Sequence, residues 1–133
     1  IKIFADGAIL ADMLVWYRND SGVSGFTTNP TLMKKAGVRD YERFAKDVLA
    51  EITDLPISFE VFSDDLPEME RQARKIASWG ANVYVKIPVT NTKGVSTASI
   101  IQRLSLAGVR LNITAVFTSW PPRYCRPSSQ FWT

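Results

Sequence analysis

The chain has 133 residues, of which 46% are hydrophobic, 22% charged and 11% aromatic, the balance of one globular domain and too short for two ordinary ones. It contains no histidine, which removes Ser-His triads, His-metal sites and imidazole proton transfer together, and its one cysteine, Cys125, allows no internal disulfide and gives no metal-ligand spacing. The net charge is +3, but Arg123 and Arg126 lie in an acid-free tail; residues 1–118 hold 14 basic against 13 acidic groups, which is no electrostatic footprint for nucleic acid.

Along the chain, short apolar runs alternate with helix-length segments. Residues 2–6 (KIFAD) read as a strand and 8–18 as a helix. Residues 23–26 form a second strand leading into TTNP, where Pro30 suits the first turn of a helix. Residues 40–53 carry Phe44, Val48, Leu49 and Ile52 at helical spacing, with Asp40 as N-cap. PISFEVF (56–62) is a third strand. The segment 66–79 is an amphipathic helix stopped at Gly80, NVYVKIPV (82–89) is a fourth strand, 96–107 is a helix ended by Gly108, and VRLNITAVF (109–117) is a fifth strand. Strands interleaved with helices, each strand nearly all apolar, imply a parallel sheet covered by helices and joined by right-handed crossovers. The tail 119–133 breaks this pattern with three prolines, four aromatics and no period, so a boundary is expected near Thr118. No apolar run approaches the roughly 18 residues of a membrane span, and the first residues lack a basic leader with a cleavage site. The expectation is a cytoplasmic protein with no membrane partner.

Each of the five strand regions carries a polar residue where burial is expected: Asp6, Asn29, Glu60, Lys86, and the pair Asn112 and Thr114. The intervals from Asp6 to Asn112 are 23, 31, 26 and 26 residues, about one β/α unit each. Strand ends point one way in a parallel fold, so these side chains can converge where such folds place their sites. Lys86 alone in a strand is more often an edge guard or the partner of Glu60. Four polar residues at unit spacing reverse that balance. Desolvation favours the neutral amine, which is a nucleophile toward carbonyls and forms Schiff bases. Without histidine, the attendant proton transfers fall to a carboxylate, directly or through a water. Asp6 closes its strand before Gly7 and is either that acid or a helix N-cap; Asn29 before Pro30 has an ordinary capping role; Asn112 and Thr114 share a face by parity. Trp16, Trp79 and the aliphatic stripes read as core, Asp64-Asp65 as a turn or cap, and Lys34-Lys35 as a solvated face. GVSGF and KKAG match neither a P-loop nor a dinucleotide fingerprint.

KIFADGA, GFTTNPTLM, ISFEVF, NVYVKIPVTNT and GVRLNITAVFT, in this order over residues 1–118, together resemble the transaldolase family, including its small fructose-6-phosphate-aldolase-like members. The resemblance implies a partial (β/α)8 barrel of about five parallel β/α units. It implies Lys86 as the Schiff-base lysine, Asp6 as the acid–base residue on the substrate hydroxyl, Glu60 and Thr114 as holders of the catalytic water, and Asn29 and Asn112 as orienters of sugar hydroxyls with Thr27 nearby. Aldolase members carry Gln where Glu60 stands, so Glu60 leans toward transfer of a dihydroxyacetone unit between sugar phosphates, with no metal or organic cofactor. The family barrel needs roughly 200–250 residues. Five units leave the first and fifth strands as edges, with inward apolar layers open to water, and the family's phosphate-binding serine and arginine belong to later units. The expectation is therefore impaired turnover and homo-oligomers formed through the sheet edges. The tail reads as out-of-frame or cut-short sequence. A non-catalytic, self-associating half-barrel is the main alternative. A receiver domain is the lesser one, because Lys86 and Thr114 stand in the wrong order for it.

Overall fold

The computed structural model describes residues 1–19 and 21–115. The boundary near Thr118, the tail 119–133 with Arg123, Cys125 and Arg126, and the last two residues of the expected fifth strand lie outside the described residues.

Five strands and five helices follow one another: β1 (Ile3–Asp6), α1 (Leu10–Arg18), β2 (Val23–Thr27), α2 (Pro30–Lys35), α3 (Tyr41–Glu51), β3 (Ile57–Glu60), α4 (Leu66–Ala77), β4 (Val83–Pro88), α5 (Ala98–Leu106) and β5 (Leu111–Thr114). Among the described residues all pairings between these strands are parallel, and the order in the sheet is the order in the chain, β1 to β5. That is the order of a barrel wall, curled, with helices between the strands and with β1 and β5 as its two edges.

Parity sorts the sheet into two faces. Ile57, Phe59, Val83, Val85, Ile87, Leu111 and Ile113 point to the helical side and are buried, joined by Val48, Met69, Ala73, Ile76, Ile100, Ile101 and Leu104 from α3, α4 and α5. The opposite, concave face carries Phe4, Asp6, Gly25, Thr27, Ser58, Glu60, Tyr84, Lys86, Arg110, Asn112 and Thr114. Its N-terminal end is filled by rings. A Cβ on Gly25 would stand 2.4 Å from the Phe4 ring and 2.7 Å from the Pro56 carbonyl oxygen, so only glycine lets that ring lie over β2. Tyr84 is 8% exposed and lies under the Arg110 guanidinium, 5.8 Å from its ring centre. The apolar part of the concave face is thus less open to water than the count of strands suggested.

Local chemistry sets the element ends. Asp40 and Asp65 cap α3 and α4 by accepting from the amides of Arg43 and Glu68, at 3.0 and 3.1 Å. Gly37 and Gly108 take positive φ after α2 and α5, and the amides around them close paired Schellman bonds onto Met33 and Lys34 and onto Leu104 and Ser105. Three expectations are corrected. The first helix starts at Leu10, with Ile9 at its N-cap and no capping side chain, so Asp6 does not cap it. Gly80 is not a left-handed stop: α4 already ends at Ala77 with Ser78 as its C-cap, and Gly80 instead sits close to Leu49, 3.3 Å from where a Cβ would be. Trp16 is not core but 54% exposed, because α1 packs against β2 and α3 through Met13 and Tyr17 and turns its Trp16 side away. Trp79 packs against the core, and Lys34 and Lys35 are solvated. Among the described residues no helix is long and apolar enough to cross a membrane.

Candidate functional site

Strand register brings the polar residues together. Asp6 lies beside Thr27 and Thr27 beside Ser58, while Glu60 lies beside Lys86 and Lys86 beside Asn112. Two short rows of polar side chains therefore cross the concave face near the C-terminal ends of the strands. Thr114, in register with Pro88, stands one inward-facing position beyond Asn112.

Lys86 is at the centre. Its strand has β3 on one side and β5 on the other, and its side chain is 14% exposed. The ammonium lies 3.8 Å from a Glu60 carboxylate oxygen and donates to the Thr28 carbonyl at 3.4 Å. Both contacts are long, so the amine is held without being locked by a short ion pair. The Thr28 side chain is fully buried, and its hydroxyl has no partner among the described residues.

Glu60 ends β3 with its side chain 26% exposed. Burial pushes its carboxyl up from the ordinary range, the Lys86 charge pulls it part of the way back, and the Asp6 carboxylate pushes it up again. Asp6 on β1 and Glu60 on β3 stand with β2 between them, so both acids lie on one side of the amine. Asp6 itself is exposed and accepts a hydrogen bond from the Thr27 hydroxyl at 2.7 Å. Asn112 donates from its amide to the Ser58 hydroxyl at 3.3 Å, across the intervening β4.

Asn29 has a different place. It is the N-cap of α2, its side-chain oxygen accepting from the Leu32 amide at 2.9 Å, while Pro30 occupies the first helical turn. The cap fixes the side chain just past the end of β2. Its placement is therefore that of a capping residue at the rim, while Lys86, Glu60, Asp6, Thr27 and Asn112 form the gathered set.

Two contributors are absent from the sequence expectations. Ser58 is 3% exposed and joins the concave row through Asn112. It is two residues from Glu60, so strand period alone places it on the same face. Thr28 contributes a backbone carbonyl, which no side-chain pattern announces. Around the site, a cavity of about 290 Å³ opens at the ends of β3 and β4, lined by Glu60, Ser63, Asp64, Pro88 and Thr92 among others. Asp64 ties its rim together by accepting from the Thr92 amide and hydroxyl at 2.8 and 2.6 Å. Another cavity, about 350 Å³, touches Asp6 but runs between α1 and α2 past Met13, Trp16 and Leu32, on the helical side of the sheet and away from the amine. Among the described residues no group of three His, Cys, Asp or Glu side chains could hold a metal ion.

A partly buried amine with a carboxylate beside it, a second carboxylate across one strand, and hydroxyl and amide donors around them can bind a polyhydroxy carbonyl compound and exchange protons with it. Comparison with known proteins points the same way. The family model described as transaldolase/fructose-6-phosphate aldolase matches residues 3–121. A probable transaldolase of Dehalococcoides mccartyi is 45% identical over 96 residues, which is 72% of this chain and 43% of that protein. A probable transaldolase of Streptococcus pyogenes serotype M5 is 41% identical over 119 residues, 89% of this chain and 52% of that protein. The chain spans about half the length of these curated relatives.

Proposed function

The chain belongs to the transaldolase/fructose-6-phosphate aldolase family, and from that premise we propose that its concave face carries Schiff-base chemistry on ketose phosphates, with Lys86 as the nucleophile. The observation that supports this reading best is the placement of the Lys86 amine, 3.8 Å from the Glu60 carboxylate and 14% exposed, in the middle of the polar rows.

In this reading the free amine of Lys86 adds to the carbonyl carbon of the ketose. The oxygen of the resulting carbinolamine takes a proton and leaves as water, and an iminium forms. A base then removes the proton of the hydroxyl on the far carbon of the bond to be broken, whose oxygen becomes the aldehyde oxygen of the departing aldose. The carbon–carbon bond cleaves, an aldose departs, and its electrons remain as an enamine of dihydroxyacetone on Lys86. Addition of the enamine to a second aldose, followed by hydrolysis, completes the transfer. Asp6 is the residue assigned to the substrate hydroxyl. Glu60 and Thr114 hold the water that enters and leaves at the iminium carbon. Asn112 and Thr27 orient the sugar hydroxyls, with Asn29 at the rim. A carboxyl raised by burial suits Glu60 to passing protons nearer neutral pH than an exposed glutamate would.

Among the described residues β1 and β5 are the two ends of the sheet, and we propose from this how the chain behaves alone. It forms the Schiff base but turns over slowly, and it associates with copies of itself through the two edges. The test is the conversion of fructose 6-phosphate and erythrose 4-phosphate by the purified chain, run beside borohydride trapping with dihydroxyacetone. Trapping together with turnover well below the roughly 1–1000 per second usual for enzymes is the expected pair of results. Trapping that survives Lys86→Met removes the nucleophile assignment. Turnover in the ordinary range removes the claim that the chain alone is impaired. A self-associating half-barrel without chemistry is what absence of trapping in the folded chain would leave.

A further inference from the structure

The end of β3 has a gap in its hydrogen-bond ladder. From β2 to β3 the donors advance two residues at a time: the Phe26 amide donates to the Pro56 carbonyl at 2.9 Å, and the Thr28 amide to the Ser58 carbonyl at 3.0 Å. β2 ends at Thr27, and the chain has already entered the first turn of α2 at residue 30, where the next donor toward the Glu60 carbonyl would fall. Residue 30 is proline and has no N–H. The donor is supplied from elsewhere: the Tyr41 hydroxyl, on the first turn of α3, donates to the Glu60 carbonyl oxygen at 2.9 Å.

Tyr41 is placed to do this rigidly. Its ring meets Phe62, Trp79 and Phe59 edge-on, at centre separations of 4.5, 5.3 and 6.0 Å. Burial pushes its phenol well above the ordinary range, so the hydroxyl keeps its proton and remains a donor. Just beyond, Gln72 accepts from the amides of Phe62 and Ser63 at 2.8 and 3.0 Å. The segment that presents the Glu60 carboxylate to Lys86 is therefore held on its β4 side by the Val61 amide, which donates to the Lys86 carbonyl at 3.2 Å, and on its other side by side chains from α3 and α4.

We infer that Tyr41 is a positioning residue for Glu60, fixing through the Glu60 backbone the angle at which its carboxylate meets the Lys86 amine and the water beside it. The inference rests on the reading of Lys86 as the Schiff-base lysine and Glu60 as the water-holding acid. Tyr41 touches no reacting atom; it substitutes for the donor that Pro30 lacks. Loss of the hydroxyl leaves the carbonyl without its bond and loosens the last residue of β3 on the side away from β4, while the ring contacts and the Val61–Lys86 bond stay.

The experiment is the rate of approach to full borohydride trapping with dihydroxyacetone, by rapid quench, in four forms of the full chain: wild type, Tyr41→Phe, Glu60→Gln, and both together. A residue that acts on the water step changes how fast the adduct forms and leaves its final extent unchanged. Tyr41→Phe is expected to slow the approach about 10-fold, the order that misplacement of a proton-transfer group brings. Added to Glu60→Gln it is expected to change nothing further, because the group it positions is already gone. An unchanged rate in Tyr41→Phe overturns the inference. So does an equal slowing in both backgrounds, which is what a general loosening of the fold produces. Circular dichroism melts of all four forms show whether each is folded at the assay temperature. No adduct in folded wild type removes the Schiff-base reading itself, and the positioning role with it; adduct formation indifferent to Tyr41 removes only the latter.

Discussion

Strands β4 and β1 look alike in the sequence and live in different surroundings. β4 lies between β3 and β5, and the core that holds α3, α4 and α5 covers its helical face; Val83, Val85 and Ile87 are 3%, 0% and 0% exposed. Among the described residues β1 has β2 on one side only, and Ile3 is 56% exposed, with Ile9 and Trp16 exposed nearby at 51% and 54%. An apolar run thus records that a strand can be buried, and its neighbours decide whether it is. The polar residues follow the same division: Lys86 on β4 is sheltered, while Asp6 on β1 reaches solvent.

The contrast can be broken by mutation. Ile87→Ala, which leaves a cavity among fully packed side chains, is expected to cost about 2–5 kcal/mol, whereas Ile3→Ala is expected to stay within about 0.5 kcal/mol at concentrations where the chain is a monomer, both read from urea unfolding midpoints. Equal losses at the two positions would mean that β1 is covered in solution, as association through that edge would cover it; sedimentation across concentration then separates the two cases. Gly25→Ala tests the seam between β1 and β2. The added methyl must displace the Phe4 ring or the Pro56 carbonyl, and a loss of about 1–3 kcal/mol is expected.

Smaller effects sharpen the comparison through pH. Glu60 carries a carboxyl raised by burial, so the folded protein keeps a proton that the unfolded chain releases. Its contribution to stability is present below the ordinary 4.5 of a free glutamate and is lost as pH rises through the higher folded value. Glu42 is opposite in sign. Hydrogen bonds from Lys46 and Lys75 hold its carboxyl down at about 2, so its contribution is present above 4.5 and lost as pH falls toward that value. Melting temperatures against pH should therefore lose part of their fall between mildly acidic and neutral pH in Glu60→Gln, and part of their acid-side fall in Glu42→Gln. The opposite assignment of the two windows would show that Glu60 is better paired with Lys86 than its burial suggests.

The strands, their order and four of the gathered residues were legible because parallel β/α units repeat their polar positions at nearly constant spacing, and Asp6, Glu60, Lys86 and Asn112 kept that spacing. Asn29 kept it too, yet the local pull of a Pro-initiated helix makes its side-chain oxygen a cap. Trp16 was misread because α1 is apolar nearly all round, so its own sequence names no outer side. The role given to Tyr41 was out of reach: it depends on strand register, on which donors fall opposite which carbonyls, and on a proline interrupting that series. Such facts belong to pairs of segments and have no signature within either one.

The central claim is that one amine of this chain differs in kind from the others. The sequence has seven lysines, and Lys34, Lys35 and Lys93 among them are exposed, where Lys86 is sheltered beside Glu60. Reduction of the folded chain with borohydride in the presence of dihydroxyacetone, followed by peptide mapping by mass, reads each lysine separately. A single adduct at Lys86 is expected at low ketone concentration, absent after unfolding in urea. Labelling spread over the exposed lysines, with Lys86 unmodified in the folded chain, would contradict it.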